Sequence, residues 1–161
     1  MTLISVSSMI RGEFHSPLAP RSRLEDLGKF LGVPERWDFG IEDEFICQLG
    51  YKDFEISLRA RNNKVEIERI WIELWDSLND VLIPKKRIRL TRHLKVDFGV
   101  FLPGLPISKA KMELEKLDIR YQEIDILHDS EFRKVLKTSK KSELYFYSDD
   151  NEQSLMEIHF L

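Results

Sequence analysis

A short stretch with helical spacing followed by period-two alternation occurs twice in this chain, near residue 22 and again near residue 108. That recurrence restricts the fold more than any single motif does. In the first half, Ser22-Arg23-Leu24-Glu25 opens a helical segment in which Leu24, Leu27, Phe30 and Leu31 share one face, and Gly32 ahead of Pro34 closes it. The S-x-x-E spacing predicts a capping box, the Ser22 hydroxyl accepting from an orphan backbone N–H while Glu25 reaches back to the cap. In the second half, Ser108 is the expected cap of a helix whose Ile107, Ala110, Leu114 and Leu117 fall at helical spacing.

The alternating runs predict the sheet. Phe45, Cys47, Leu49 and Tyr51 alternate with more polar neighbours, Gly50 to Asp53 turns the chain, and Phe54, Ile56, Leu58 and Ala60 alternate against Glu55, Ser57 and Arg59. Asn62-Asn63 makes the next turn. Val65 and Ile67 then keep one phase while Ile70, Ile72 and Leu74 keep the other, so a β-bulge near Glu68-Arg69 is required to leave one face buried, with Trp71 and Trp75 opposite. Residues 85–96 read as one edge or terminal strand with a basic outer row, interrupted at Arg92. In the tail, 119–126 and 144–147 read as strands, 129–137 as helix or strand, and the last strand places Met156, Ile158 and Phe160 on one face. Residues 1–21 read as an extended lead, with 3–10 as an edge strand. The expectation is an α+β fold, a mainly antiparallel sheet with two or three helices packed on it, in a single domain over 1–161. Residues 22–75 and 106–161 are its candidate repeated helix-plus-hairpin units, aligned by matching Phe54–Leu58 with Leu144–Ser148.

Composition narrows the function classes. With 161 residues, 42% of them apolar, one core burying roughly 68–70% of the unfolded surface is within reach. The apolar runs are short of the ~18 residues of a membrane span. No basic residue precedes Thr2 to Val6 and Arg11 follows closely, which argues against a secretory leader and for a cytoplasmic location. The lone Cys47 reads as a small buried hydrophobe. Charge is uneven: residues 1–80 hold 10 Lys+Arg against 15 Asp+Glu, and residues 81–161 hold 15 against 13.

Catalytic patterns are missing. His15, His93, His128 and His159 are too scattered for a zinc signature, the Glu42-Asp43-Glu44 and Asp149-Asp150 clusters lack calcium-loop spacing, and there is no nucleophile elbow or glycine-rich phosphate cradle. Asp53 with Glu66-Ile67-Glu68 approaches a metal-dependent nuclease pattern, but Arg69 stands near where that pattern needs Lys. Glu157 and His159 share a strand face and are expected to be solvated. The chain is therefore read as non-enzymatic, with no metal and no cofactor. Two charged segments remain. Glu35, Asp38, Glu42, Asp43 and Glu44 around Trp37 form a candidate protein-binding surface. Lys85, Lys86, Arg87, Arg89, Arg92 and Lys95, near the base-stacking candidates Phe98 and Phe101, form the alternative, a nucleic-acid-binding strand.

The pattern Leu24-x-x-Leu27…Phe30-Leu31-Gly32-x-Pro34, followed by Leu49-Gly50-Tyr51-x-Asp53-x-Glu55, resembles small bacterial immunity-type proteins that accompany polymorphic or contact-dependent toxins. Leu105-Pro106-Ile107-Ser108 and Ile119-x-Tyr121 are similar to the later part of such proteins. The resemblance implies a stoichiometric inhibitor whose partner is a cognate protein toxin. The long N-terminal lead and the basic central strand depart from that layout.

Overall fold

A computed structural model of the chain describes residues 1–38, 47–74, 86–128, 131–149 and 152–161. The fold is α+β: the described residues form three helices and two sheets, of which the larger is entirely antiparallel. No helix among the described residues is long and apolar enough to cross a membrane.

The chain opens with β1 (Thr2–Ser5) and α1 (Val6–Ile10), not one edge strand, because Ser5 caps a helical turn that buries Val6, Met9 and Ile10. Helix α2 (Leu24–Leu31) follows, then a four-stranded meander of β2 (Arg36–Asp38), β3 (Cys47–Tyr51), β4 (Phe54–Arg61) and β5 (Lys64–Glu73). Next come β6 (Arg87–Arg89) and β7 (Leu94–Asp97), a hairpin with its tip at Thr91–His93 in place of the single strand expected over 85–96. Arg92 could not continue an apolar row, and the chain turns where it stands. Strand β7 also pairs in parallel with β1, forming a three-stranded sheet. Helix α3 (Ile107–Lys116) then leads into a second meander of β8 (Tyr121–His128), β9 (Glu131–Thr138), β10 (Ser142–Asp149) and β11 (Glu152–Phe160). The segment read as helix or strand is β9.

The eight-stranded order is β2-β3-β4-β5-β11-β10-β9-β8, so the meanders join through their last strands. Each half is thus a helix with four strands, where a helix with a hairpin was expected. Their registers correspond. In β5 the rungs Ser57/Arg69 and Leu58/Ile67 leave Glu68 as an extra residue, and in β11 the rungs Tyr145/Glu157 and Phe146/Leu155 leave Met156. The phase change in the sequence locates the first bulge; at the second, Leu155 takes the core position expected of Met156. Arg21 N–H donates to Ile67 O and Ile67 N–H to Ser22 O at 2.7 and 2.8 Å, and Gly104 N–H donates to Leu155 O and Leu155 N–H to Leu105 O at 3.0 and 2.9 Å. These bonds place Ile56 opposite Leu144 in the correspondence, two residues from the alignment the patterns favoured.

They also explain the helix starts. Ser22 is drawn into pairing with Ile67, so Arg23 becomes the N-cap of α2 and no side chain caps it; Pro106, bridged to Ser154, does the same for α3. The expected Ser22 cap is absent because that backbone is already committed to the sheet, and Ser108 lies inside α3, whose first residue is Ile107, instead of capping it.

One sheet face buries Leu49, Phe54, Ile56, Leu58, Ile67, Ile70, Ile72, Leu144, Phe146, Leu155, Ile158 and Phe160 in a cluster with Leu27 and Leu31 of α2, Ala110 and Leu114 of α3, and Val6, Leu94 and Val96 of the smaller sheet. A single core therefore joins both sheets. The opposite, open face holds the polar chemistry.

Candidate functional site

Rungs Ile70/Phe160, Trp71/His159 and Ile72/Ile158 join the halves. Exchanging the halves maps Trp71 onto His159 and returns the same rung, so the centre of the open face is an indole against an imidazole. Their rings are 4.9 Å apart, and the Tyr145 ring lies 4.3 Å from His159.

On the second half this face is closed by its own side chains. Tyr145 donates to Glu143 at 2.6 Å, Lys137 pairs with Glu143 at 2.8 Å, Tyr147 donates to Glu157, and His159 Nε2 lies 3.1 Å from Glu157. The Arg133 guanidinium lies 4.2 Å from the Tyr147 ring centre. Burial pushes the Glu157 carboxyl up, but hydrogen bonds from His159 and Tyr147 outweigh it and hold the group below its ordinary value. Glu143 is likewise held low against burial by Lys137 and Tyr145, while burial and Glu143 push the Tyr145 hydroxyl up. The solvated strand face expected for Glu157 and His159 is therefore wrong: His159 is only 7% exposed.

On the first half the matching positions are Ser57 for Tyr145, Arg59 for Tyr147, Arg69 for Glu157 and Trp71 for His159. A serine in place of a tyrosine leaves an open cavity of about 570 Å³, lined by Gln48, Ser57, Arg59, Arg69 and Trp71 and, around them, by Arg21, Arg61, Glu68 and Lys141. Glu68, the bulge residue, binds Arg59 at 2.7 Å and Arg61 at 2.9 Å. The Trp71 indole nitrogen is buried with no hydrogen-bond partner among the described residues. Sequence reasoning missed this constellation, since its cations come from four separate segments. The bulge between two alternating arginine-bearing strands is the one local signal that touches it.

Of the acidic candidate surface, Glu42, Asp43 and Glu44 lie outside the described residues. Glu35, Trp37 and Asp38 are exposed at the sheet edge, Trp37 by 52%, on and beside β2, which pairs only with β3 among the described strands. Between them Arg36 crosses Gly50, where a Cβ would stand 2.9 Å from its Nε, to reach Glu55 at 3.1 Å and the carbonyl of Lys52. Cys47 is buried, and burial together with Asp38 pushes its thiol up, away from thiolate chemistry.

The basic candidates are brought onto one small hairpin, but several are occupied. Lys85 lies outside the described residues. Arg87 binds Asp97 at 2.7 Å and, with the Gly99 N–H, holds that carboxyl below its ordinary value. Arg89 donates to the carbonyls of Thr91 and Arg92, and Arg92 to His93. Lys86 and Arg92 are exposed and Lys95 is half-buried, while Phe98 and Phe101 are buried in the core and cannot stack bases. Among the described residues no group of three or more His, Cys, Asp and Glu gathers at one point to hold a metal. No family model, curated protein or solved structure matches the chain.

Proposed function

We propose that this chain is a non-enzymatic protein-binding module that engages a basic protein surface through its acidic, aromatic sheet edge, acting in the cytoplasm as an immunity protein against a cognate toxin. The observation that supports it is Trp37, half exposed on an edge strand between exposed Glu35 and Asp38. A large aromatic with neighbouring charge suits an interface anchor, and an acidic rim speeds encounter with a basic partner. The toxin rests on the resemblance in layout. Binding of nucleic acid through the basic hairpin is less favoured, because Asp97 already offsets the charge of Arg87 and because the two phenylalanines face inward.

Co-expression with the product of a neighbouring toxin gene tests the proposal directly. Growth rescue, a stoichiometric complex and slower association after Glu35→Lys/Asp38→Lys are expected. Rescue unaffected by Trp37→Ala, together with an unchanged association rate in the charge-reversed protein, would move the interface elsewhere. Turnover of a peptide or nucleic acid by the isolated protein would overturn the non-enzymatic reading.

A further inference from the structure

The cavity over β3, β4 and β5 lies on the open face, apart from the Trp37 edge. Its lining gathers five cationic side chains, Arg21, Arg59, Arg61, Arg69 and Lys141, against one acidic side chain, Glu68, with Leu161 also in the lining. Like charges brought together around a cavity repel one another, and only Arg59 and Arg61 are compensated by Glu68. No carboxylate among the described residues pairs with the side chains of Arg21, Arg69 or Lys141. An anion is the ligand that relieves this arrangement, and guanidinium forks favour one with several oxygens, above all phosphate. Glu68 fixes two of the forks before any ligand arrives, which lowers the ordering cost of binding.

The remaining lining narrows the class. Trp71 supplies an aromatic surface and a buried indole N–H without a partner among the described residues, while Gln48 and Ser57 supply neutral hydrogen-bonding groups. Gln48 is already held by Glu55, so its orientation is set. At about 570 Å³ the cavity falls within the 300–1,000 Å³ range of small-molecule sites. Arg21 adds a structural sign: its φ is +68°, in the left-handed region, where the corresponding residue of the other half is Gly104 at +77°. A glycine would meet the backbone requirement more easily than an arginine does.

We propose that this cavity binds a small phosphorylated ligand bearing a planar ring, of the mononucleotide class, with Arg59, Arg61 and Arg69 around the phosphate and Trp71 against the ring. The site is independent of the protein-binding edge and does not require that reading to hold.

Calorimetric titration of the full chain at low salt with AMP, adenosine, inorganic phosphate and a single-stranded oligonucleotide tests it. AMP is expected to bind at one site, more tightly than either phosphate or adenosine. Arg69→Gln, at an exposed position where folding is not at stake, should weaken AMP at least about tenfold. Ser57→Tyr places in the cavity the residue found at the matching position of the other half and should abolish binding, with circular dichroism reporting the fold. Arg11→Gln, outside the cavity, should leave AMP binding unchanged. Absence of AMP binding, equal affinity for adenosine, an AMP affinity indifferent to Arg69→Gln, or tighter binding of the oligonucleotide than of AMP would each overturn the proposal.

Discussion

The two halves of the open face share a register and differ in what fills it. Over β9 to β11, tyrosines, carboxylates and a histidine satisfy one another; over β3 to β5, the matching places hold serine and arginines and leave a cavity. Equivalent backbone therefore supports a closed, self-paired surface on one side and a partly compensated cationic one on the other. The side chains chosen at four positions, Ser57/Tyr145, Arg59/Tyr147, Arg69/Glu157 and Trp71/His159, make that difference.

The shared core is the place where the comparison breaks most severely. Phe160→Ala removes a fully buried ring at the junction of the halves and should cost about 3–5 kcal/mol. Chemical denaturation followed by tryptophan fluorescence and by far-UV circular dichroism should give coincident transitions, because one core serves both halves. Separate transitions would show that the halves unfold independently.

Glu157→Gln against Arg69→Gln probes matched positions directly. The first leaves His159 and Tyr147 with a neutral partner in a buried setting and should lose about 1–3 kcal/mol; the second, exposed and without a carboxylate partner among the described residues, should change stability by less than about 0.5 kcal/mol. Equal losses would contradict the contrast drawn between the two surfaces.

Acid sharpens it further. Glu143 and Glu157 are held below their ordinary value of 4.5, so the unfolded chain takes up protons on these groups before the folded one does. Their contribution is fully present above the unfolded value and is lost as pH falls from about 4.5 through the lower folded values. Denaturation midpoints measured down this range should fall less steeply in Glu157→Gln than in the parent protein.

The smallest effect is expected at Arg21→Gly. Relief of the left-handed backbone should leave stability unchanged or raise it by up to about 1 kcal/mol, while AMP binding weakens. A clear loss of stability would show that the Arg21 side chain has a structural role.

Much of this frame was legible in the sequence, and for physical reasons. Period-two alternation located β4, and the phase change between Ile67 and Ile70 located its partner's bulge, because a sheet face must stay apolar through an inserted residue. Leu24, Leu27, Phe30 and Leu31 located α2 by the same logic at helical period. Ser22 misled because a capping motif is local, whereas its backbone is claimed by Ile67. The parallel pairing of Thr2 with Leu94 left no local trace, and neither did the convergence of Arg21, Arg59, Arg69 and Lys141. Glu157 and His159 looked solvent-facing since polarity alone does not distinguish a hydrogen-bonded, half-buried face from a wet one.

The joining of the two meanders through β5 and β11 also sets an order of events on the ribosome. The first meander emerges while the strand that will cover its inner edge comes after all the other described strands. Until then β5 presents an unpaired row of backbone groups beside Ile70 and Ile72, the kind of edge that recruits strands from other chains. Two nascent copies can meet there in the antiparallel manner that β11 later adopts. Fidelity of assembly thus depends on how fast the second half arrives, and a pause in translation between the meanders lengthens the interval in which the middle of the future sheet is its outside.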